Sequence, residues 1–311
     1  MSHDVVLHPG QGSQYVGMGR RMWERSAVAR ELFAHADATL GLPLASLCFT
    51  GPEPALRRTE NAQPALFTVS VVASTLLRDA DVVPAAAAGH SAGEYAALVT
   101  AGALSFEDGL RLVRRRGELM AEQCEREPGA MAAIVGLPIR TVEMLCAAAR
   151  EAGHVEVANE NAPDQTVVSG ECAGVERVMD LVEGHEGGLA LRLAVAGAFH
   201  SRLMARVARA MAAVLDDVPL RAASIPVVAN VSADYVRTPE EIRAALIGQV
   251  DRRVRWCASL QRLAADGATR FIVAGPSRGL TRLTRGNVPQ ATAVAAEDLL
   301  AAPTVSAEPG R

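Results

Sequence analysis

The chain has 311 residues, half of them hydrophobic and 21% charged, with a formal net charge of −4. This is enough apolar material for a substantial core, and the balance excludes global disorder and any general electrostatic attraction to nucleic acid. Aromatic residues make up only 4%, so the core has to be built mainly from Ala, Val and Leu.

The first residues, Met-Ser-His-Asp, carry no basic n-region and do not read as a signal peptide. Residues 5–7 predict a short buried strand that ends in the turn-rich run Pro9-Gly10-Gln11-Gly12-Ser13. Apolar positions at helical spacing predict a helix over 62–79. A short apolar strand over 82–88 follows, then Gly89-His90-Ser91-Ala92-Gly93, a helix from about 94 and another over 106–123. Alternating strand and helix predict an α/β layer architecture. From 128 to 195 the pattern changes to strand (130–136), helix (139–152), strand (154–159), strand (165–170), helix (172–185) and strand (189–194). That β-α-β-β-α-β order is the ferredoxin-like one, so a small inserted subdomain is expected there, between two parts of a larger one at 1–127 and 196–300. The larger part resumes with a helix from about 201, a strand near 226–230, helices near 239–250 and 255–266, a strand at 271–274 and a helix near 278–285. The tail 301–311 has little to bury and is expected to be disordered.

No run reaches the roughly 18 apolar residues of a membrane span, so no membrane partner is expected. The five cysteines, Cys48, Cys124, Cys146, Cys172 and Cys257, show no CxxC spacing. That fits reduced thiols in a cytoplasmic protein and predicts neither a disulfide framework nor a metal site.

Gly89-His90-Ser91-Ala92-Gly93 fits G-x-S-x-G. In that arrangement a strand delivers the serine to a sharp turn, glycines let the backbone pass, and the following helix aims free N–H groups at a reacting carbonyl. An N-cap serine ahead of the helix at Glu94 would give the same local sequence. A serine nucleophile needs a base. His200 stands out because it lies between a predicted strand and a predicted helix. His8, beside the glycine turn, is a weaker rival, and His3, His35, His154 and His185 lie in polar stretches.

The helix over 106–123 carries an anomaly. At about 100° per residue, Phe106, Leu110, Val113, Gly117 and Met120 share one face, widened by Leu112 and Leu119. Arg116 falls inside that arc, while Arg114 and Arg115 point away. A guanidinium facing the core is costly unless it meets an anion. The anion is either a structural Asp or Glu, or a substrate carboxylate gripped by the bidentate fork.

Taken together, these residues resemble the malonyl-CoA:acyl carrier protein transacylases and the acyltransferase domains of polyketide synthases, over roughly residues 5–290. The resemblance rests on Pro9-Gly10-Gln11-Gly12-Ser13-Gln14, Gly89-His90-Ser91-Ala92-Gly93-Glu94-Tyr95, Arg116-Gly117-Glu118-Leu119-Met120 and Gly129-Ala130-Met131-Ala132-Ala133-Ile134. It continues in Ala158-Asn159-Glu160-Asn161-Ala162-Pro163-Asp164-Gln165, Ala198-Phe199-His200-Ser201, Gln249 ahead of Val254-Arg255-Trp256, and Gly275-Pro276-Ser277. It implies an α/β-hydrolase-like large subdomain with an inserted ferredoxin-like small subdomain and a site between them. Only the resemblance pairs Ser91 with His200. It also implies that the Gln249 backbone carbonyl orients His200, and that Gln11 and Ala92 N–H groups form the oxyanion hole. Arg116 would hold a malonyl carboxylate, with His90, Phe199 and Asn161 bordering the substrate. The implied reaction is ping-pong transfer from acyl-CoA through Ser91 to the phosphopantetheine thiol of an acyl carrier protein. No bound cofactor is implied, because CoA and phosphopantetheine carry the substrate.

Two positions depart from the family pattern. Ala92 is smaller than the usual residue after the nucleophile, and Ser277 replaces the second glycine of Gly-Pro-Gly. Ala92 leaves room beside the ester, whereas Phe199 crowds a branch at the acyl α-carbon, so malonyl is expected over a branched extender. Fatty acid and polyketide biosynthesis both stay open. So do carrier-to-carrier acyl or aminoacyl transfer, proofreading hydrolysis of acyl carriers, and a docking subunit whose site has decayed. Arg202, Arg206 and Arg209, and likewise Arg278, Arg282 and Arg285, recur at helical spacing and are candidates for docking an acidic carrier. A monomer is expected.

Overall fold

The computed structural model describes residues 3–195 and 197–301. The chain starts with β1 (Asp4–His8) and then forms α1 (Arg20–Arg25), α2 (Ala27–Leu40), α3 (Leu44–Thr50) and α4 (Glu53–Arg57), where no element is predicted from the sequence. Three of these have only six, seven and five residues, too few turns to display a 3.6-residue period. α2 buries just Ala29, Phe33 and Ala36.

α5 (Thr59–Asp79) begins before the predicted helix and contains Pro64. Proline has no N–H for the carbonyl four residues back, and Arg114 Nη1 donates to that Glu60 carbonyl instead, at 2.9 Å. Arg114 therefore packs half-buried against α5, which corrects the expectation that it faces away. β2 (Ala86–Gly89) is shorter than the predicted 82–88, Pro84 having no N–H to pair. α6 (Gly93–Thr100) and α7 (Phe106–Arg126) follow, the latter capped by Ser105, whose hydroxyl accepts from Asp108 N–H at 3.0 Å.

The insert comprises β3 (Ala130–Val135), α8 (Ile139–Ala149), β4 (Val155–Ala162), β5 (Gln165–Gly170), α9 (Cys172–Glu183) and β6 (Leu189–Arg192). Its sheet order is β4-β5-β3-β6 with antiparallel pairs throughout, the ferredoxin-like arrangement. The chain then makes a 3-10 turn (Arg202–Met204) before α10 (Ala205–Asp216), so the helix predicted from 201 starts later. β7 (Val227–Val228), β8 (Tyr235–Val236), α11 (Pro239–Asp251), α12 (Trp256–Ala265), β9 (Arg270–Val273), α13 (Arg278–Asn287), β10 (Thr292–Ala295) and α14 (Ala296–Ala301) complete the large unit. The tail expected to be disordered lies, beyond Ala301, outside the described residues.

The large sheet runs β10-β9-β1-β2-β7-β8, parallel except for β7 against β8. Successive side chains of a strand point to opposite faces. Val6, Ala87 and Ile272 accordingly join α5–α7 in one core, while Val5, Leu7, Ala86, Ala88 and Val273 join α12 and α13 in a second. The small sheet likewise buries Ala130, Ala132 and Ile134 under α8 and α9. Its other face, Met131, Ala133 and Val167, packs into the first core. The edge strand β4 is also bonded to the large unit by main chain: Glu160 N–H donates to Val254 O, and Val254 N–H to Ala158 O, both at 2.8 Å.

Gly117 lets α7 approach α5. A Cβ there would lie 2.7 Å from Glu60 Cα and 2.9 Å from Thr59 O. Alanine ordinarily gains about 0.5–1 kcal/mol over glycine inside a helix, but here the contact is with backbone that cannot rotate away. Gly117→Ala should destabilise the fold by about 1–3 kcal/mol in chemical denaturation; a stabilised variant would contradict this packing.

Candidate active site

β1, β2 and β9 are parallel neighbours and end on the same side of the sheet, the edge where open α/β folds place their chemistry. At the end of β2 the backbone turns sharply into α6, with Ser91 at φ +52°. A non-glycine residue in that region is strained by roughly 1–3 kcal/mol and is kept only when its surroundings fix it. Glycines make the turn possible. A Cβ on Gly89 would meet the Gly93 carbonyl carbon at 2.0 Å, and one on Gly93 would meet His8 O at 2.3 Å. Asn230 holds the turn from β7, accepting from Ser91 N–H at 2.7 Å and donating to Gly89 O at 2.7 Å.

His200 also has a positive φ, +59°, on the segment returning from the small sheet. Its Nε2 lies 2.7 Å from Ser91 Oγ and its Nδ1 lies 2.8 Å from Gln249 O. A carbonyl only accepts, so Nδ1 carries the hydrogen and Nε2 is free to take the serine proton. Burial, followed by the positive charge of Arg116, pushes the His200 pKa down to about 3. The ring is therefore neutral, as a base must be before reaction. Among the described residues no carboxylate bonds to it.

Arg116 is 1% exposed and has no ion-pair partner among the described residues. Its Nη1 donates to Gln63 Oε1 at 2.8 Å and its Nη2 to Gln249 Oε1 at 3.0 Å, and Nη2 stands 3.4 Å from Ser91 Oγ. Nε has no partner among the described groups. Among the described residues no Asp or Glu pairs with it directly; neutral amide oxygens hold the guanidinium, and the buried carboxylate of Glu94 acts on it at longer range, across Gln249. Gln63 Nε2 continues to Thr59 Oγ1, which donates to Gln11 Oε1 at 2.6 Å. Gln249 Nε2 donates to Ser91 O at 2.9 Å and to Glu94 Oε2 at 2.8 Å, and Glu94 Oε2 also accepts from Asn230 N–H. Burial raises the Glu94 pKa to about 7.

The structure brings Ser91, His200, Gln249, Arg116 and Ala92 together. Among the described residues neither Ala92 N–H nor Gln11 N–H donates to another group. His90 Nε2 meets Asn161 Oδ1 at 2.9 Å across the cleft, and Phe199 is buried beside His200. The rival base His8 is spent elsewhere: its Nε2 lies 3.0 Å from Thr100 Oγ1, and burial lowers its pKa to about 3. Arg202, Arg206, Arg278 and Arg282 are exposed. Arg202 and Arg206 join Arg126 and Arg209 around a hollow of about 510 Å³. Arg285 instead donates to Ala293 O at 2.9 Å. Sequence reasoning missed Gln63, Glu94 and Asn230. Gln63 lies inside the predicted helix, one residue before Pro64, and Asn230 lies at the end of the strand predicted near 226–230, just past β7, a position that could have marked it.

A strained serine on a strand–helix turn, a neutral histidine against it and a buried cation define an acyl-transferring enzyme of the serine-nucleophile type. The chain matches the acyl transferase domain family over residues 5–300 and belongs to it. It is 42% identical over 286 residues to the malonyl CoA-acyl carrier protein transacylase of Bacillus subtilis, covering 92% of this chain and 90% of that protein. It resembles the crystal structure of an acyl carrier protein S-malonyltransferase from Vibrio cholerae with a TM-score of 0.91 and 37% identity, covering 94% and 96% of the two chains. A malonyl-transacylase in complex with its type II polyketide synthase carrier protein superposes with a TM-score of 0.92 and 36% identity, over 94% and 96%.

The depressed pKa of His200 has a direct test. An ordinary histidine gains its proton near 6.5, whereas this ring should stay neutral until pH falls toward 3. Its ring nitrogens should keep neutral-imidazole ¹⁵N shifts from pH 8 down to 5. Protonation near 6.5 would show that the site is wetter than the geometry implies.

Proposed function

We propose that this enzyme transfers malonyl from CoA through Ser91 to the phosphopantetheine thiol of an acyl carrier protein. The observation that carries the acyl choice is Arg116, a buried guanidinium without a carboxylate partner, 3.4 Å from Ser91 Oγ. The malonyl carboxylate stands one carbon from the thioester carbonyl, and the Nε and Nη2 edge of Arg116 offers it a fork. A neutral acetyl group would leave that buried charge without a direct counter-ion.

In the first half-reaction Ser91 Oγ attacks the thioester carbon while its proton passes to His200 Nε2. The oxyanion falls to the N–H groups of Ala92 and Gln11, each worth about 2.7–4 kcal/mol if lost. The C–S bond breaks and His200 returns the proton to the CoA sulfur. The carrier thiol then gives its proton to His200 and attacks the serine ester, restoring Ser91. His90 and Asn161 wall the cleft, and Phe199 disfavours a branch at the α-carbon, a preference of about 1–3 kcal/mol per methylene. The reaction calls on no bound cofactor, and five free cysteines, three of them buried, suit a reducing cytoplasm.

Intact-protein mass spectrometry after brief mixing with malonyl-CoA should show a malonyl adduct that is absent from Ser91→Ala and passes to an added carrier protein. Arg116→Ala should lose at least ten-fold in malonyl loading and gain relative preference for acetyl-CoA. Equal loading of both acyl groups by the unaltered enzyme would overturn the malonyl assignment.

For the carrier, the hollow lined by Arg126, Arg202, Arg206 and Arg209 begins two residues past His200 and holds more arginine than the two glutamates, Glu127 and Glu171, can balance. Arg278 and Arg282 offer a second exposed pair on α13. An acidic carrier would be steered to the first. Charge reversal in Arg202→Glu/Arg206→Glu should slow transfer to the carrier at least ten-fold, least at high salt, while leaving self-malonylation intact. Unchanged carrier transfer would rule this surface out.

A further inference from the structure

Gln249 has a side chain whose orientation the reaction depends on and which shape alone does not set. A primary amide fits its cavity in either of two orientations related by a half-turn. Here the Nε2 side faces two groups that only accept when the acid is ionised, Ser91 O at 2.9 Å and Glu94 Oε2 at 2.8 Å, and the Oε1 side faces the donor-only guanidinium of Arg116 at 3.0 Å. Glu94 is 1% exposed and uses the same oxygen to accept from Asn230 N–H at 3.0 Å. It meets Arg116 only through the amide. A direct ion pair would occupy the fork, whereas the intervening amide leaves the fork open toward Ser91.

We propose that Glu94 is a positioning residue for acyl selection: through the Gln249 side chain it fixes the Arg116 guanidinium beside Ser91 Oγ while leaving it free for a substrate carboxylate. The inference rests on the malonyl reading above. What the role requires is an acceptor atom at Oε2. A glutamine in place of Glu94 would keep one, because two N–H donors converge there and would repel an amide nitrogen. Aspartate keeps the charge but retracts the acceptor by one methylene, and leucine removes it.

The test is the ratio of Ser91 loading rates with malonyl-CoA and acetyl-CoA, read by mass spectrometry for Glu94→Gln, Glu94→Asp and Glu94→Leu. It is run beside Arg116→Ala, with Tm and the rate of Ser91 labelling by a neutral fluorophosphonate as controls. Glu94→Asp and Glu94→Leu should lower the malonyl-to-acetyl ratio at least ten-fold and change fluorophosphonate labelling less than three-fold. Glu94→Gln should stay within about three-fold of the unaltered enzyme. An unchanged ratio in Glu94→Asp, where Arg116→Ala does lower it, overturns this inference and leaves the malonyl reading standing. An unchanged ratio in Arg116→Ala overturns both. If malonyl loading, acetyl loading and labelling fall together in Glu94→Asp, Glu94 merely supports the turn at Ser91, and the positioning role is wrong. Should Glu94→Leu not fold, the contrast between Glu94→Asp and Glu94→Gln decides.

Discussion

Gln249 ties together three of the groups the chemistry needs. Its main-chain oxygen holds His200, its side-chain oxygen holds Arg116, and its side-chain nitrogen holds the carbonyl of Ser91. A fully buried amide must find partners for all its polar atoms, and here those partners are the base, the cation and the nucleophile's own backbone. The helix that carries it is correspondingly fixed. α11 starts at a capping box between Thr238 and Glu241 and buries Ile242, Leu246 and Val250. Displacing this one residue would misplace three others, so the site tolerates little drift in α11.

The electrostatics follow from the same arrangement. A carbonyl behind His200 sets the tautomer without adding a negative charge. A carboxylate in that position would compete for Arg116 and lift the histidine toward its charged form. With the neutral carbonyl, the base stays unprotonated and the guanidinium stays short of a counter-ion. Both conditions suit an enzyme whose substrate brings its own anion. The cost is a cation and an imidazole buried close together, which is visible in the pKa of His200.

The sequence exposes this site unevenly, for physical reasons. The turn at Ser91 is legible because glycines at 89 and 93 are demanded by backbone contacts of 2.0–2.3 Å. Arg116 is legible because a charge on an apolar helix face breaks a period. The ferredoxin-like order of the insert can be read because its strands and helices are long enough to show their own periods. Helices of five to seven residues do not, so α1, α3 and α4 are invisible. Gln63, Glu94 and Asn230 are silent for a different reason. Each matters through a partner 53 to 155 positions away, and nothing local separates them from ordinary polar residues of strands and helices. Arg114 misleads in the same way, since its destination is a carbonyl left free by a proline on another helix.

The two subdomains are not simply packed side by side. β4 continues the small sheet and also exchanges main-chain hydrogen bonds with Val254, while Asn161 meets His90 with its side chain and receives Asn287 Nδ2 on its carbonyl at 2.7 Å. The insert is thus a splint laid across the reactive edge of the larger sheet. It cannot swing open as a hinged lid without breaking ladder bonds, and it should come apart with the larger sheet in one cooperative unit instead of melting first. The slot between them has a set width, and the long arms that carry the donor thioester and the acceptor thiol must enter it end-on, one after the other.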